Sequence, residues 1–379
     1  MWKIRSLAII LGLMFFVILR LLIFRYVPFV DSGQTFPYID DILGTNFVVP
    51  LWLIMFSDIS NLILFWLIGR KVLGEKYGFL APIFYAISPW PAYLTISGSI
   101  FVPVLMGMLL FYFGLTLAKD KRSLLGISLS TLGLVIAVYL NFSMLFVLPF
   151  LILGIYGSRF FAKKNIKILL TVLIFLFLPI IIFSIFRRNS LKQALTKNVS
   201  LFNEVGLINS VNTFRGEARR AGYSQLGILV ENKITYFGRH VLFNTLTAFS
   251  PYTYFTQQFR LLSFSFTPPI FVGLLVPFLY GLVCMFKGKN KIYYLLFLTI
   301  PLLIPAVLRE YFPDLNSLIL ILPAIIFVSA WGMGVLVRNK KMFFITITVF
   351  LIFLQGLTTL YDITTREPVR YQETIQANK

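Results

Sequence analysis

Asp31, Asp40 and Asp41 fall within eleven consecutive positions of a chain that has only 14 acidic residues among 379. They follow directly on the first long apolar run, where a hydrocarbon layer would give way to water. A carboxylate partly desolvated at such an interface rises above its ordinary pKa of about 3.9, which makes it a better general base near neutral pH. A second concentration of charge is cationic. Residues 187–260 carry Arg187, Arg188, Lys192, Lys197, Arg215, Arg219, Arg220, Lys233, Arg239 and Arg260, against Glu204, Glu217 and Glu231. The planar fork of arginine matches phosphate oxygens. A base for an incoming hydroxyl, with cations for a departing phosphate, is what group transfer from a phosphate-linked donor requires. Each feature also has a plainer reading. The aspartates suit a solvated turn between two spans, and the cations suit attraction to anionic lipid headgroups, at about 1 kcal/mol per basic residue near a charged surface.

Asp58 lies inside the second apolar run. A carboxylate there costs on the order of 2.5 to 3.5 kcal/mol and is a functional candidate by default. It can equally be a neutral, hydrogen-bonded packing residue beside Ser57, Ser60 and Asn61. Arg20, near the far end of the first run, either snorkels to the surface or meets a phosphate. His240 is the only histidine and reads as an ordinary interfacial residue. The single Cys284 lies in an apolar run, so neither a disulfide framework nor a zinc ligand set is available. No metal-ligand spacing, nucleophile elbow or glycine-rich phosphate loop occurs. No cofactor is assigned on these grounds, with a divalent metal kept as an option.

The elements that must position these groups are membrane helices. The chain is 58% hydrophobic and 13% charged, where a soluble domain is about a quarter charged. Apolar runs recur near 6–24, 48–69, 79–94, 100–118, 123–139, 142–157, 168–186, 267–286, 292–308, 317–337 and 342–360. Most are long enough to cross a hydrocarbon core about 30 Å thick as helices. The segments of about ten alternating residues that mark a membrane barrel do not appear. The first run follows Lys3 and Arg5 without a small-residue cleavage site after it, so it reads as a retained span. These features predict an all-α polytopic membrane protein, residues 1–379 forming a single integral membrane domain of about eleven transmembrane helices. Pro82, Pro149, Pro179, Pro277, Pro301 and Pro323 fall inside the runs and predict kinks.

Basic residues orient the spans. Lys3/Arg5, Arg70/Lys71/Lys76, Lys119/Lys121/Arg122, Arg159/Lys163/Lys164/Lys167, Lys287/Lys289/Lys291 and Arg338/Lys340/Lys341 all fall on alternate connections. By the positive-inside rule that side, with the N-terminus, is cytoplasmic, and the C-terminus is external. The net charge of +20 is then largely topological and gives no reason to invoke nucleic acid. The external side holds the acidic loop 25–47, a turn at 95–99, the long basic segment 187–266, the loop 309–316 and the tail 361–379. Long loops translocate whatever their charge, so the basic segment does not upset this topology. Its Phe214, Tyr223, Tyr236, Phe237, Tyr252, Tyr254 and Phe255 predict helices lying in the membrane interface.

The order of these features resembles the C-type membrane glycosyltransferases (GT-C), in the branch of the protein O-mannosyltransferases and the bacterial aminoarabinose and mannose transferases. LIGRKVLGEKYGFLAPIFYAISPWPAYLTISGS at 67–99 is similar to a block of that family, and residues 102–152 resemble its paired-helix continuation. Residues 209–255 resemble the external segment of bacterial members, and PAVLREYFPDLNSLILILPAIIFVSAWGM at 305–333 resembles a late span. The family's first external loop carries an Asp-Glu motif. Asp31 matches the aspartate, and Ser32 stands where the glutamate is expected; Ser97 and Gly98 stand where a basic residue commonly follows the first block. The resemblance implies a GT-C-like fold in a multi-pass protein of the cell membrane. It further implies transfer of a sugar from a polyprenyl-phosphate donor to a lipid, glycan or protein acceptor on the non-cytoplasmic face. On that reading Asp31 is the base, with Asp40 or Asp41 orienting the acceptor or substituting for it. Arg215, Arg219 and Arg220, with Arg187, Arg188 and Arg260, hold the donor phosphate. The contrasting expectation is a membrane protein without turnover, either a carrier of lipid-linked saccharides or an envelope-assembly scaffold.

Overall fold

The structure is a computed structural model that describes residues 50–119, 123–141, 204–223, 232–256, 268–286, 299–308 and 315–361, with single positions between 14 and 21, between 144 and 153, and at 225 and 364. Among the described residues every regular element is helical. The helices are α1 (Leu51–Leu73), α2 (Leu80–Ile87), α3 (Pro89–Ile96), α4 (Phe101–Lys119), α5 (Ser123–Leu140), α6 (Glu204–Arg220), α7 (Lys233–Phe249) and α8 (Pro251–Phe255). They continue with α9 (Leu275–Phe286), α10 (Ile304–Val307), α11 (Leu315–Leu318), α12 (Leu322–Arg338) and α13 (Met342–Tyr361). Residues 51–73, 101–118, 316–338 and 342–361 are each long and apolar enough to cross a membrane, and 124–140 and 272–285 are shorter apolar helices. The described part is therefore that of a multi-helical membrane protein. The expected run at 168–186 lies outside the described residues, and those at 6–24, 142–157 and 292–308 are described in part, so a count of eleven spans is not established.

α1 has its polarity turned outside in. Trp52, Phe56, Ile59 and Ile63 are exposed on one face, whereas Ser57, Asp58 and Asn61 are buried on the other. This is the pattern of a helix solvated by lipid, in which polar groups face the protein so that they can find partners. Asn61 Nδ2 reaches Val102 O of α4 at 3.2 Å across that face. α4 and α5 form the closest pair, an antiparallel hairpin in backbone contact. A Cβ added at Gly133 would lie 2.3 Å from Gly107 O, and one at Gly126 would lie 2.4 Å from Ala118 N. Small residues allow this approach in lipid, where no hydrophobic force draws helices together. α9 and α12 meet the same way, with the Gly332 position against Pro277 O and Gly281.

The run at 79–94 is not one helix. It breaks at Ser88, with Pro89 and Pro91 starting α3. An unbroken helix would bond Trp90 N–H to Ala86 O. Here Trp90 N donates to Pro269 O at 3.1 Å, and Ala86 O accepts from Arg20 Nη1 at 3.0 Å. Both backbone groups released by the break are thus met by distant segments, as burial away from water demands. The expected kink at Pro323 takes another form. Pro323 has no N–H to give Ile319, and the chain from α11 passes through a 3-10 turn at Ile319–Ile321 before α12 begins.

Different contacts join the helices at the two ends of the bundle. At one end Tyr77 packs on Gly334, and Asn339 Nδ2 donates to Tyr280 Oη at 3.3 Å, which gathers the connections next to Lys76 and Arg338. At the other end Ser99 Oγ donates to Asn316 Oδ1 at 2.9 Å. Also attached to the bundle is α7, whose buried Asn244 Nδ2 donates to Val307 O of α10 at 2.8 Å. The Tyr254 phenol, which burial pushes above its ordinary pKa, donates to Ala248 O at 2.6 Å and ties α8 to the end of α7.

Candidate functional site

α6 and α7 hold the described part of the basic segment. α6 closes with Arg219 and Arg220 in its last turn, where cations favour the negative end of the helix dipole. Gly222, at φ 82, then reverses the chain. Gly222 N donates to Arg219 O at 3.1 Å and Tyr223 N to Ala218 O at 2.9 Å, the paired bonds of a Schellman stop. α7 starts at Asn232, whose side chain accepts from the backbone N–H groups of Ile234 and Thr235, both at 2.9 Å, while Thr235 Oγ1 accepts from Asn232 N at 3.2 Å. Phe214 and Tyr236 pack between the helices at 6.1 Å, and the Arg239 guanidinium lies 5.9 Å from the Phe214 ring. The His240 ring packs on Tyr236, tilted by 46° with centroids 4.5 Å apart.

Between the two helices opens a cleft of about 650 Å³. Ile208, Val211, Asn212 and Arg215 line it from α6, spaced so that they share one helical face; Asn232, Lys233 and Ile234 line it from the start of α7. It combines two cations, two carboxamides and three aliphatic side chains. Such a lining can hold an anionic oxygen group beside hydrocarbon. Of the six arginines expected to bind phosphate, Arg215 lines this cleft. Arg219 and Arg220 are exposed beyond it at the end of α6. Arg187, Arg188 and Arg260 lie outside the described residues, as do Asp31, Asp40 and Asp41. Lys233 and the two asparagines carry no motif by themselves. The signal available for them in sequence is the Asn232 to Thr235 capping pair, which places residue 233 at a helix start.

Asp58 occupies a different place. Arg20 Nε lies 3.0 Å from Asp58 Oδ2 and Arg20 Nη2 lies 3.4 Å from Oδ1, with the side chains 11% and 3% exposed. Tyr85 Oη donates to Asp58 Oδ1, and the Arg20 guanidinium also covers the Phe16 ring at 3.9 Å. Arg20 therefore does not snorkel to the surface. The side chain turns inward because the Asp58 carboxylate and the freed Ala86 O together offer a better partner set than a thin interfacial layer. Asp58, for its part, is ion-paired rather than a neutral neighbour of Ser57 and Ser60. Neither partner was assigned to the other by sequence, because they stand 38 positions apart with no local pattern linking them. Among the described residues no three His, Cys, Asp or Glu side chains gather into a metal-binding group.

No protein-family model matches the chain, and no curated protein matches it at a significant level. Among solved structures it is similar to the Archaeoglobus fulgidus oligosaccharyltransferase, crystallised in complex with Zn and sulfate. The two are 13% identical with a TM-score of 0.43, over 87% of this chain and 43% of that one. The chain thus spans less than half the length of that protein, and the likeness is too distant to fix a shared fold.

Proposed function

We propose that this chain is a membrane glycosyltransferase that moves a sugar from a polyprenyl-phosphate donor to a lipid, glycan or protein hydroxyl on the non-cytoplasmic face. The observation that carries the reading is the α6–α7 cleft. It sets Arg215 and Lys233 beside aliphatic side chains, on a helix pair anchored through Asn244 to the bundle. The motif resemblance around Asp31 and along residues 67–99 supports it further. In the proposed reaction Asp31 takes the proton of the acceptor hydroxyl, with Asp40 or Asp41 orienting that hydroxyl. The acceptor oxygen bonds to the anomeric carbon as the bond from that carbon to the phosphate oxygen breaks, and the lipid phosphate leaves with the electron pair. Arg215, supported by Arg187, Arg188, Arg219, Arg220 and Arg260, stabilises the charge that develops on the phosphate.

The test uses the full-length protein in lipid nanodiscs with radiolabelled polyprenyl-phosphate sugars. Transfer or slow hydrolysis is expected, and Asp31→Asn is expected to lose about a hundredfold or more, the range of a general base. Full activity in Asp31→Asn would remove the assigned base. No release from any donor, together with bound donor recovered intact, would favour a carrier or scaffold. Impermeant labelling of cysteines placed at 31 and 215 is expected to mark both from the same side.

A further inference from the structure

The break between α2 and α3 sends its two freed backbone groups to different parts of the chain. Ala86 O accepts from Arg20, which is also held by Asp58, and the Asp58 carboxylate accepts in turn from Tyr85 Oη of α2. The Phe65 ring stacks on Tyr85 with centroids 4.8 Å apart and lies 5.4 Å from Phe327 of α12, so this arm of the break is bound into the core. The other arm starts at Trp90, which is fully buried. Its N–H goes to Pro269 O, and its ring lies 5.9 Å from that of Tyr254 in α8. Ile270 N donates to Tyr254 O at 3.0 Å, while Thr253 Oγ1 and Tyr254 Oη donate to Thr247 O and Ala248 O of α7 at 2.7 and 2.6 Å. An unbroken helix would bond the Trp90 N–H to Ala86 O and leave Pro269 O without its donor.

We propose that the Ser88 break is a positioning joint for the transfer reaction, with Arg20 and Trp90 as its two positioning residues. One arm fixes the first span, which leads in sequence to Asp31. The other fixes α8 and through it the end of α7, the helix whose start lines the cleft. The proposed base and the proposed phosphate-binding cations come from distant parts of the chain, and misplacing reacting groups by about 1 Å can cost a hundredfold in rate. Stability alone would be served as well by an unbroken helix, which strands no backbone group and needs no buried arginine. The role in catalysis rests on the transferase reading above; the joint itself does not.

The experiment measures electron spin–spin distances in the full-length protein in lipid nanodiscs, on a Cys284→Ser background. One pair of labels sits at Leu21→Cys and Leu242→Cys, and a reference pair at Leu132→Cys of α5 and Phe353→Cys of α13, all exposed positions. Arg20→Lys keeps a charge for Asp58 but has no planar fork to span Ala86 O as well; Trp90→Ala removes the ring from Tyr254. Each is expected to shift the 21–242 distance by about 1 to 2 Å with the reference pair in place, and to lower kcat for a polyprenyl-phosphate sugar about tenfold or more with KM within about twofold. Trp90→Phe, which keeps a ring against Tyr254, is expected to restore both readings. Because Trp90 is fully buried, Arg20→Lys decides the matter if Trp90→Ala does not fold. An unchanged 21–242 distance, equal movement of both pairs, or a shifted distance with parent-like kcat would overturn the proposal. A shifted 21–242 distance in a protein whose parent transfers no donor sugar would uphold the joint and reject the transferase.

Discussion

Removing the Asp58 carboxylate tests how the first apolar run is held to the bundle. In Asp58→Ala the Arg20 guanidinium loses contacts at 3.0 and 3.4 Å, and Tyr85 Oη loses its acceptor, while the bond from Arg20 to Ala86 O remains. Stranding one member of a buried pair costs about 3 to 5 kcal/mol in soluble proteins. The residual bond and the partners available in the unfolded membrane-bound chain reduce this, as they do for other polar contacts in bilayers. We expect about 3 kcal/mol, roughly a hundredfold in the folding equilibrium. Replacing both partners by apolar residues, Arg20→Met with Asp58→Val, is expected to recover part of that loss because no unpaired charge is left, the remainder reflecting Ala86 O and Tyr85 Oη, which then lose their partners. The assay is reversible unfolding in mixed micelles of rising SDS fraction, followed by tryptophan fluorescence and built into a double-mutant cycle. If Asp58→Ala cost less than about 0.5 kcal/mol, or if the two single losses simply added, the pairing would not be what secures that segment.

Two further perturbations probe packing. Gly133→Val is expected to force α4 and α5 apart, since its Cβ alone would meet Gly107 O at 2.3 Å; overpacking of backbone on backbone should cost upwards of about 3 kcal/mol, and a monodisperse, parent-like yield in detergent would contradict the contact. Asn244→Ala removes the 2.8 Å bond to Val307 O and leaves that buried carbonyl unmet, so about 1 to 3 kcal/mol of docking should be lost, read as faster amide exchange across 233–249 with α12 unchanged.

Most helices of the bundle could be read before the fold was known, because lipid makes hydropathy a local property. The runs at 48–69, 100–118, 123–139 and 342–360 coincide with α1, α4, α5 and α13 to within a few residues. The aromatics after residue 210 led only to an expectation of interfacial helices without bounds, and Tyr236, Tyr254 and Phe255 among them are buried in the fold instead. What escaped the sequence depends on distance along the chain. The break at Ser88 required knowing that Pro269 O and Arg20 were at hand; without them the 79–94 run reads as one span. The glycines of α4 and α5 are seven apart within each helix, yet nothing in one helix names its partner. For the same reason Arg215 stood out as an arginine among many, whereas Lys233 gained its place only from the start of α7 beside it.

The mended break has a consequence in time. Trp90 N–H finds its acceptor at Pro269, 179 positions later, which a ribosome working at about 5 to 20 residues per second delivers roughly 10 to 35 s after residue 90. Until then the Trp90 N–H beside the Ser88 break lacks that partner, so the break remains provisional and is completed only when the later half arrives. Chains halted before residue 268 should accordingly be cut by protease near Ser88 more readily than finished ones; equal resistance would mean that the early helices settle unaided.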